Sequence, residues 1–147
     1  MTSPPAQQPP SQEALEVTPV RTAAWSEHDG RVVVERPLPP VRGLRSLLQR
    51  ISALTGVRRL RLDERGSFAW RRFDGATSVG EVAHALHAEL DDPAAGPAAA
   101  AGPSESRAEA AERLVRFVRV LRTEGLVGLT GLDDARIAAW RSGNPSP

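Results

Sequence analysis

Histidine, carboxylate and arginine are the side chains whose spacing in this sequence could support chemistry. His84 and His87 stand three residues apart and Asp91 follows four later, so a helix would carry them near one face, able to offer a metal two nitrogens and an oxygen. A closed site takes about four ligands. No second cluster supplies the rest, and Asp92 and Pro93 read more simply as a solvated helix end. The remaining histidine, His28, falls in a turn. Arg113, Arg116, Arg119 and Arg122 recur every three residues. Each step turns the row by about 60°, so the arginines wrap around the outer side of a helix instead of forming one stripe. Glu109 and Glu112 precede Arg113 and Arg116 by four residues, which sets a solvated, ion-paired face against a cationic wall beside a groove.

Other chemistries are excluded more directly. The chain has no cysteine, which removes disulfides, thiolate metal sites and cysteine nucleophiles together. There is no dinucleotide fingerprint, phosphate-binding loop or nucleophile elbow, and the glycines serve turns and caps. With no convergent nucleophile, base pair or metal cluster, the residues argue against an enzyme acting alone and call for no cofactor. A formal charge of +1 argues against a dedicated polyanion binder. No apolar run reaches bilayer length and the N-terminus lacks a signal pattern, so the expected compartment is the cytoplasm and no membrane partner is expected. The abundance of Ala, Arg, Gly and Pro is accounted for by a high-GC genome.

A chain of 147 residues with 40% hydrophobic content allows one small domain with tails. Six Phe and Trp residues leave aliphatic side chains to fill the core. Residues 1–18 form a disordered tail, richest in Pro, Ser and Gln up to Gln12. Trp25, the His28-Asp29-Gly30 turn and the β-branched run Val32-Val33-Val34 predict a hairpin, stopped by Pro37, Pro39 and Pro40. Leu44, Leu47, Leu48, Ile51 and Leu54 predict an amphipathic helix within residues 37–56, covering the sheet or meeting an anionic surface or partner groove. A third strand follows over Val57 to Leu62, with Leu60 and Leu62 inward and Arg59 and Arg61 outward. Asp63 caps a short helix through Phe68, Trp70 and Phe73. Asp74-Gly75 turns the chain, and Ser78-Val79-Gly80-Glu81 is a capping box that opens a second helix. Residues 92–103 are a flexible Ala, Pro and Gly linker. A second capping box, Ser106 to Glu109, opens a helix with Ala110, Leu114, Phe117, Val118 and Leu121 as its buried stripe and Gly125 as its C-terminal cap. Leu126 to Leu129 predicts a short strand, and residues 130–147 a C-terminal extension with a helical turn or two.

Taken in order, Leu62-Asp63-Glu64-Arg65-Gly66-Ser67-Phe68-Ala69-Trp70, Asp74-Gly75, Ser78-Val79-Gly80-Glu81-Val82-Ala83 and Leu121-Arg122-Thr123-Glu124-Gly125-Leu126-Val127 resemble the PqqD family. These are small domains that recognise precursor peptides in ribosomal peptide modification pathways. The resemblance covers roughly Pro19 to Leu129, so residues 19–129 are the expected domain. It implies an α+β, winged-helix-like fold: a three-stranded antiparallel sheet and three helices, here with an extra helix inserted between strands two and three.

The resemblance further implies a non-catalytic module that binds a leader peptide by strand addition and presents it to a modifying enzyme such as a radical-SAM maturase. On this sequence the edge would be Val57, Arg58, Arg59, Leu60, Arg61 and Leu62. The groove wall would be Val115, Arg119 and Arg122, which flank the buried stripe, and the arginines would suit an acidic leader. A homodimer is compatible with the sequence. The alternatives are a winged-helix nucleic-acid binder carrying its arginines on the third helix, and a structural or regulatory domain without peptide binding. Near-neutral charge counts against the first of these.

Overall fold

Val32 and Val34 have no exposed surface, whereas their neighbours in the strand are partly or fully exposed, and this alternation orients the sheet. The computed structural model describes residues 10–36, 58–91 and 106–143. β2 (Trp25–His28) and β3 (Arg31–Arg36) form the predicted hairpin, with Trp25 opposite Val34 and His28 opposite Arg31. Its two turn residues, Asp29 and Gly30, both have positive φ (51° and 71°), the two-residue geometry whose twist matches the strands. β4 (Arg58–Arg61) pairs antiparallel with β3, Leu60 opposite Val34 and Arg61 opposite Val33, giving the order β2-β3-β4. The expected helix in residues 37–56 and the linker 92–103 lie outside the described residues.

The Ser67 hydroxyl governs how β4 hands over to the next helix, α2 (Glu64–Arg71). Asp63 caps α2 by accepting the Gly66 N–H at 2.7 Å. One residue earlier, the Leu62 N–H still bonds the Val32 carbonyl at 2.8 Å. The Val32 N–H then donates to Ser67 Oγ at 2.9 Å, and that hydroxyl donates onward to the Leu62 carbonyl at 3.4 Å. A buried hydroxyl thus completes the ladder where β4 bends away. Behind it, Trp70 and Phe73 are fully buried and meet edge to face at 6.4 Å.

The Asp74 carboxylate accepts the Ala76 and Thr77 N–H groups at 2.8 and 2.9 Å, and these bonds, Ala76 first, hold its pKa below the ordinary value. Gly75 (φ 84°) passes so close to Val20 that a Cβ would sit 2.6 Å from a Val20 methyl. Both predicted capping boxes are formed. Ser78 with Glu81 opens α3 (Val79–Leu86), which widens into a π-type turn over His87–Asp91, and Ser106 with Glu109 opens α4 (Arg107–Thr123). Gly125 (φ 74°) ends α4 as a left-handed cap.

The chain termini depart from the sequence reading. Residues 12–16, placed in the disordered tail, form α1 (Gln12–Glu16), capped by Ser11. Leu15 and Val17 pack on the core. The approach is allowed by Gly80, where a Cβ would come within 3.3 Å of the Leu15 carbonyl oxygen. β1 (Pro19–Arg21) pairs antiparallel with β5 (Val127–Leu129), Val20 opposite Gly128, and makes a separate two-stranded sheet. The hairpin therefore starts only at Trp25. α5 (Asp134–Gly143) lays Ile137 against Gly128, where a Cβ would lie 2.7 Å from an Ile137 methylene. The architecture is α+β, with Leu114, Val118 and Leu121 of α4 sharing one core with Val32, Val34 and Leu62 of the sheet side.

Replacing Ser67 by Ala strands the Val32 N–H in the core, which costs about 1–3 kcal/mol. Urea unfolding should show a lower midpoint with an unchanged slope.

Candidate functional site

β4 is the outer strand of its sheet: β3 satisfies one side, and among the described residues no strand pairs with the other. Such an edge offers a row of backbone donors and acceptors to an added strand. Arg58, Arg59 and Arg61 are exposed, Leu60 is half-buried against the core and Leu62 is buried. The strand period therefore puts Leu60 and Leu62 on the core face, and Arg59 and Arg61 on the outer face. Arg61 reaches across the sheet to the Asp29 carboxylate at 4.0 Å.

Where β4 runs into α2, a cavity of about 370 Å³ opens between this junction and α4. Its floor is apolar: Leu62, Leu86, Leu114 and the half-buried Phe117. Arg61, Arg65 and Arg113 stand at its rim. Phe117 contacts Phe73 with ring centroids 6.4 Å apart. Gly66 leaves the room, since a Cβ there would lie 3.5 Å from the Phe117 ring tip and 3.0 Å from the capping carboxylate of Asp63. One turn further along α4 comes Val120, 54% exposed, and beyond it Glu124, paired with Arg36 at the end of β3. Arg36 lies opposite Arg58. α4 therefore runs alongside β4 in the reverse sense, Phe117 near the Leu62 end and Glu124 near the Arg58 end.

Val115, Arg119 and Arg122 are not brought to this groove. They lie on nearly the opposite side of α4 from Phe117 and Val120. There, with Val17, Val79 and Leu129, they line a smaller hollow of about 240 Å³ beneath α1. Arg122 is committed to another task. Its guanidinium donates to both oxygens of Asp133 at 2.9 and 3.1 Å, and the same carboxylate accepts the Leu129 N–H at 2.8 Å, so the pair fastens α4 to β5 and the start of α5. Of the expected edge residues, Arg58 to Leu62 stand together on β4 and its exit, while Val57 lies outside the described residues.

Gly66, Arg113 and Phe117 line this groove; sequence reasoning placed Arg113 in the arginine row that could wall a groove and Phe117 in the buried stripe, and singled out neither Gly66 nor Val120 for such a place. Helical spacing held the signal, because Arg113, Phe117, Val120 and Glu124 form one ridge. Sequence alone does not say which flank of the buried stripe meets β4.

His84 is exposed, and the half-buried His87 has a sheltered Nδ1 without a hydrogen bond. Among the described residues no three His, Cys, Asp or Glu side chains group closely enough to hold a metal ion. Of the arginine row, Arg116 pairs with Glu112 at 2.9 Å and Arg122 with Asp133, so two of its members serve ion pairs on the helix and to its neighbour. Among the described residues no helix is long and apolar enough to cross a membrane.

The described residues thus form an α+β domain in which the outer edge of β4 lies beside an apolar, arginine-rimmed groove. The family model for coenzyme PQQ synthesis protein D (PqqD) matches residues 54–127, from the approach to β4 through α4 to the first residue of β5. The chain belongs to the PqqD family, whose members are accessory proteins of peptide-modification pathways. No curated protein and no solved structure matches it.

The Arg122 hydrogen bonds, ahead of those from the Leu129 backbone, hold the Asp133 carboxyl below its ordinary value of 3.8. A carboxyl lowered on folding contributes its full stabilisation above its unfolded value and loses it as pH falls through the folded one. The gap in melting temperature between wild type and Asp133→Asn should thus be constant above about pH 5 and shrink as pH falls below that range. Thermal melts from neutral pH to pH 3 check this.

Proposed function

We propose that this protein is a non-catalytic module that binds the leader of a ribosomally made precursor peptide by strand addition and presents it to a modifying enzyme, with a radical-SAM maturase the class of partner in view. Family membership supplies the pathway class. The observation that carries the reading is the outer edge of β4 lying beside the groove between Leu62 and Phe117. Backbone bonding along an edge supplies affinity for any extended chain, and side-chain pockets beside it supply selection. The leader would lie along Arg58 to Leu62 and set side chains against Phe117, with Arg61, Arg65 and Arg113 around them. β2–β3–β4 with α2, α3 and α4 would then act as a winged-helix-like frame working in the cytoplasm.

The site proposed on β4 keeps Arg58, Arg59, Leu60, Arg61 and Leu62 and takes Arg113 and Phe117 as the α4 wall in place of Val115, Arg119 and Arg122. Two measurements test it. Titration with synthetic peptides covering the short reading frames beside this one, followed by backbone NMR, should shift the amides of Arg58 to Leu62. Shifts confined to the hollow beneath α1 would overturn the docking site. Phe117→Ala should weaken the best of those peptides by about tenfold, as loss of an aromatic anchor does. Arg119→Ala should leave its Kd unchanged in the same calorimetric titration.

A further inference from the structure

The two faces of β4 differ in chemistry, and an added strand inherits that difference. Strands lie about 4.8 Å apart and their side chains alternate between faces. A peptide paired to the outer edge would therefore set every second side chain on the core face, beside the Phe117 and Val120 flank of α4. The intervening ones would stand on the outer face beside Arg59 and Arg61. Val120 is a large aliphatic side chain left 54% exposed on that flank, one turn from half-buried Phe117. On the outer face at the edge stand Arg59, with Glu35 of β3 opposite it, and Arg61, 4.0 Å from the Asp29 carboxylate; both arginines remain exposed on the strand that borders the open side. A second copy of this chain is a poor occupant, since pairing Arg58-Arg59-Leu60-Arg61 with itself sets like charges against one another across the new ladder.

We infer that the β4 edge selects an extended peptide in which acidic and apolar residues alternate, the acidic ones beside Arg59 and Arg61 and the apolar ones over Phe117 and Val120. The inference rests on the strand-addition reading and adds the pattern of the ligand to it. Composition alone does not satisfy this edge. An acidic block followed by an apolar block presents the wrong side chain to one face at every other position, because a shift of one residue exchanges the faces.

The test uses three labelled hexapeptides with the full-length protein: Glu-Leu-Glu-Leu-Glu-Leu, its block isomer Glu-Glu-Glu-Leu-Leu-Leu, and Lys-Leu-Lys-Leu-Lys-Leu. Fluorescence anisotropy gives the Kd, and amide NMR gives the location. The alternating acidic peptide should bind about tenfold more tightly than the block isomer, with the lysine peptide weakest. The double variant Arg59→Glu, Arg61→Glu should reverse the order of the two alternating peptides. The milder double variant Arg59→Gln, Arg61→Gln should abolish the charge preference, which guards against misfolding of the first. Val120→Ser should weaken the acidic peptide by about threefold without changing the charge preference. Equal binding of the two isomers, or an order unmoved by charge reversal, overturns the inference. If β4 amides shift equally with all three peptides, strand addition stands and the alternation falls. If no β4 amide shifts with any of them, strand addition falls and the alternation with it.

Discussion

The Ser67 hydroxyl stands where the β3–β4 ladder runs out, and the placement of the groove depends on it. Val32 in the middle of the sheet needs an acceptor, and β4 has already begun to turn into α2. By accepting from Val32 and donating to Leu62, Ser67 fixes the first turn of α2 to both strands. That places Gly66 directly under Phe117. The proposed strand addition needs an edge held on one side and open on the other, and among the described residues β4 is paired on one side only. Here the holding is done by β3 and by one buried hydroxyl, while the missing side chain of Gly66 keeps the cavity open.

Charge in this chain is spent mostly on joining elements. Arg71 meets Glu27 of β2 at 2.6 Å and the Gly30 carbonyl at 3.1 Å, tying α2 to the hairpin. Arg72 lies 3.6 Å above the Phe68 ring and meets Glu89 at 3.0 Å, tying α2 to the turn after α3. Exposed pairs of this kind contribute about 0–1 kcal/mol each. Their effect is on orientation more than on stability. Arg59 and Arg61 stand on the outer strand, Arg61 4.0 Å from Asp29 of the hairpin turn and Arg59 opposite Glu35, and the edge beside them is unpaired among the described residues.

Local signals were legible in the sequence because each depends on residues a few positions apart. The Asp29-Gly30 turn, the Asp63 cap, both capping boxes and the Gly125 cap all formed where spacing put them. Nonlocal choices were not legible. β1 pairs with β5 across more than a hundred residues, and nothing near Pro19 announces Leu129 as its partner. α1 is too short to show a helical period, and it is held by what it touches, chiefly Gly80 and the core. Which flank of α4 lies beside β4 was not legible for a related reason. The buried stripe of α4 has two flanks, one carrying Val115 and Arg119 and the other Phe117 and Val120. A sequence gives the stripe but not the side from which the sheet approaches it. Phe117 was assigned to the stripe itself, which is half the truth: one side of its ring packs on Phe73, and the other faces the cavity.

The arginines of β4 bear on why an open edge can persist at all. A short strand with Arg58, Arg59 and Arg61 around one half-buried leucine resists pairing with its own kind, because every self-registered ladder brings guanidinium groups together. The same feature that suppresses edge-to-edge association leaves the edge attractive to a strand of opposite charge. If the proposed strand addition holds, protection and selection come from one set of side chains. The apolar half of the requirement is set separately, by the flank of α4 that Gly66 allows to approach. A ligand that answered only the charge would leave Val120 and Phe117 in water, and one that answered only the apolar flank would desolvate arginines without a partner. On the proposed reading both costs vanish together only for a chain that alternates, so that reading rests on the geometry of β4 and α4 rather than on the net charge of the protein.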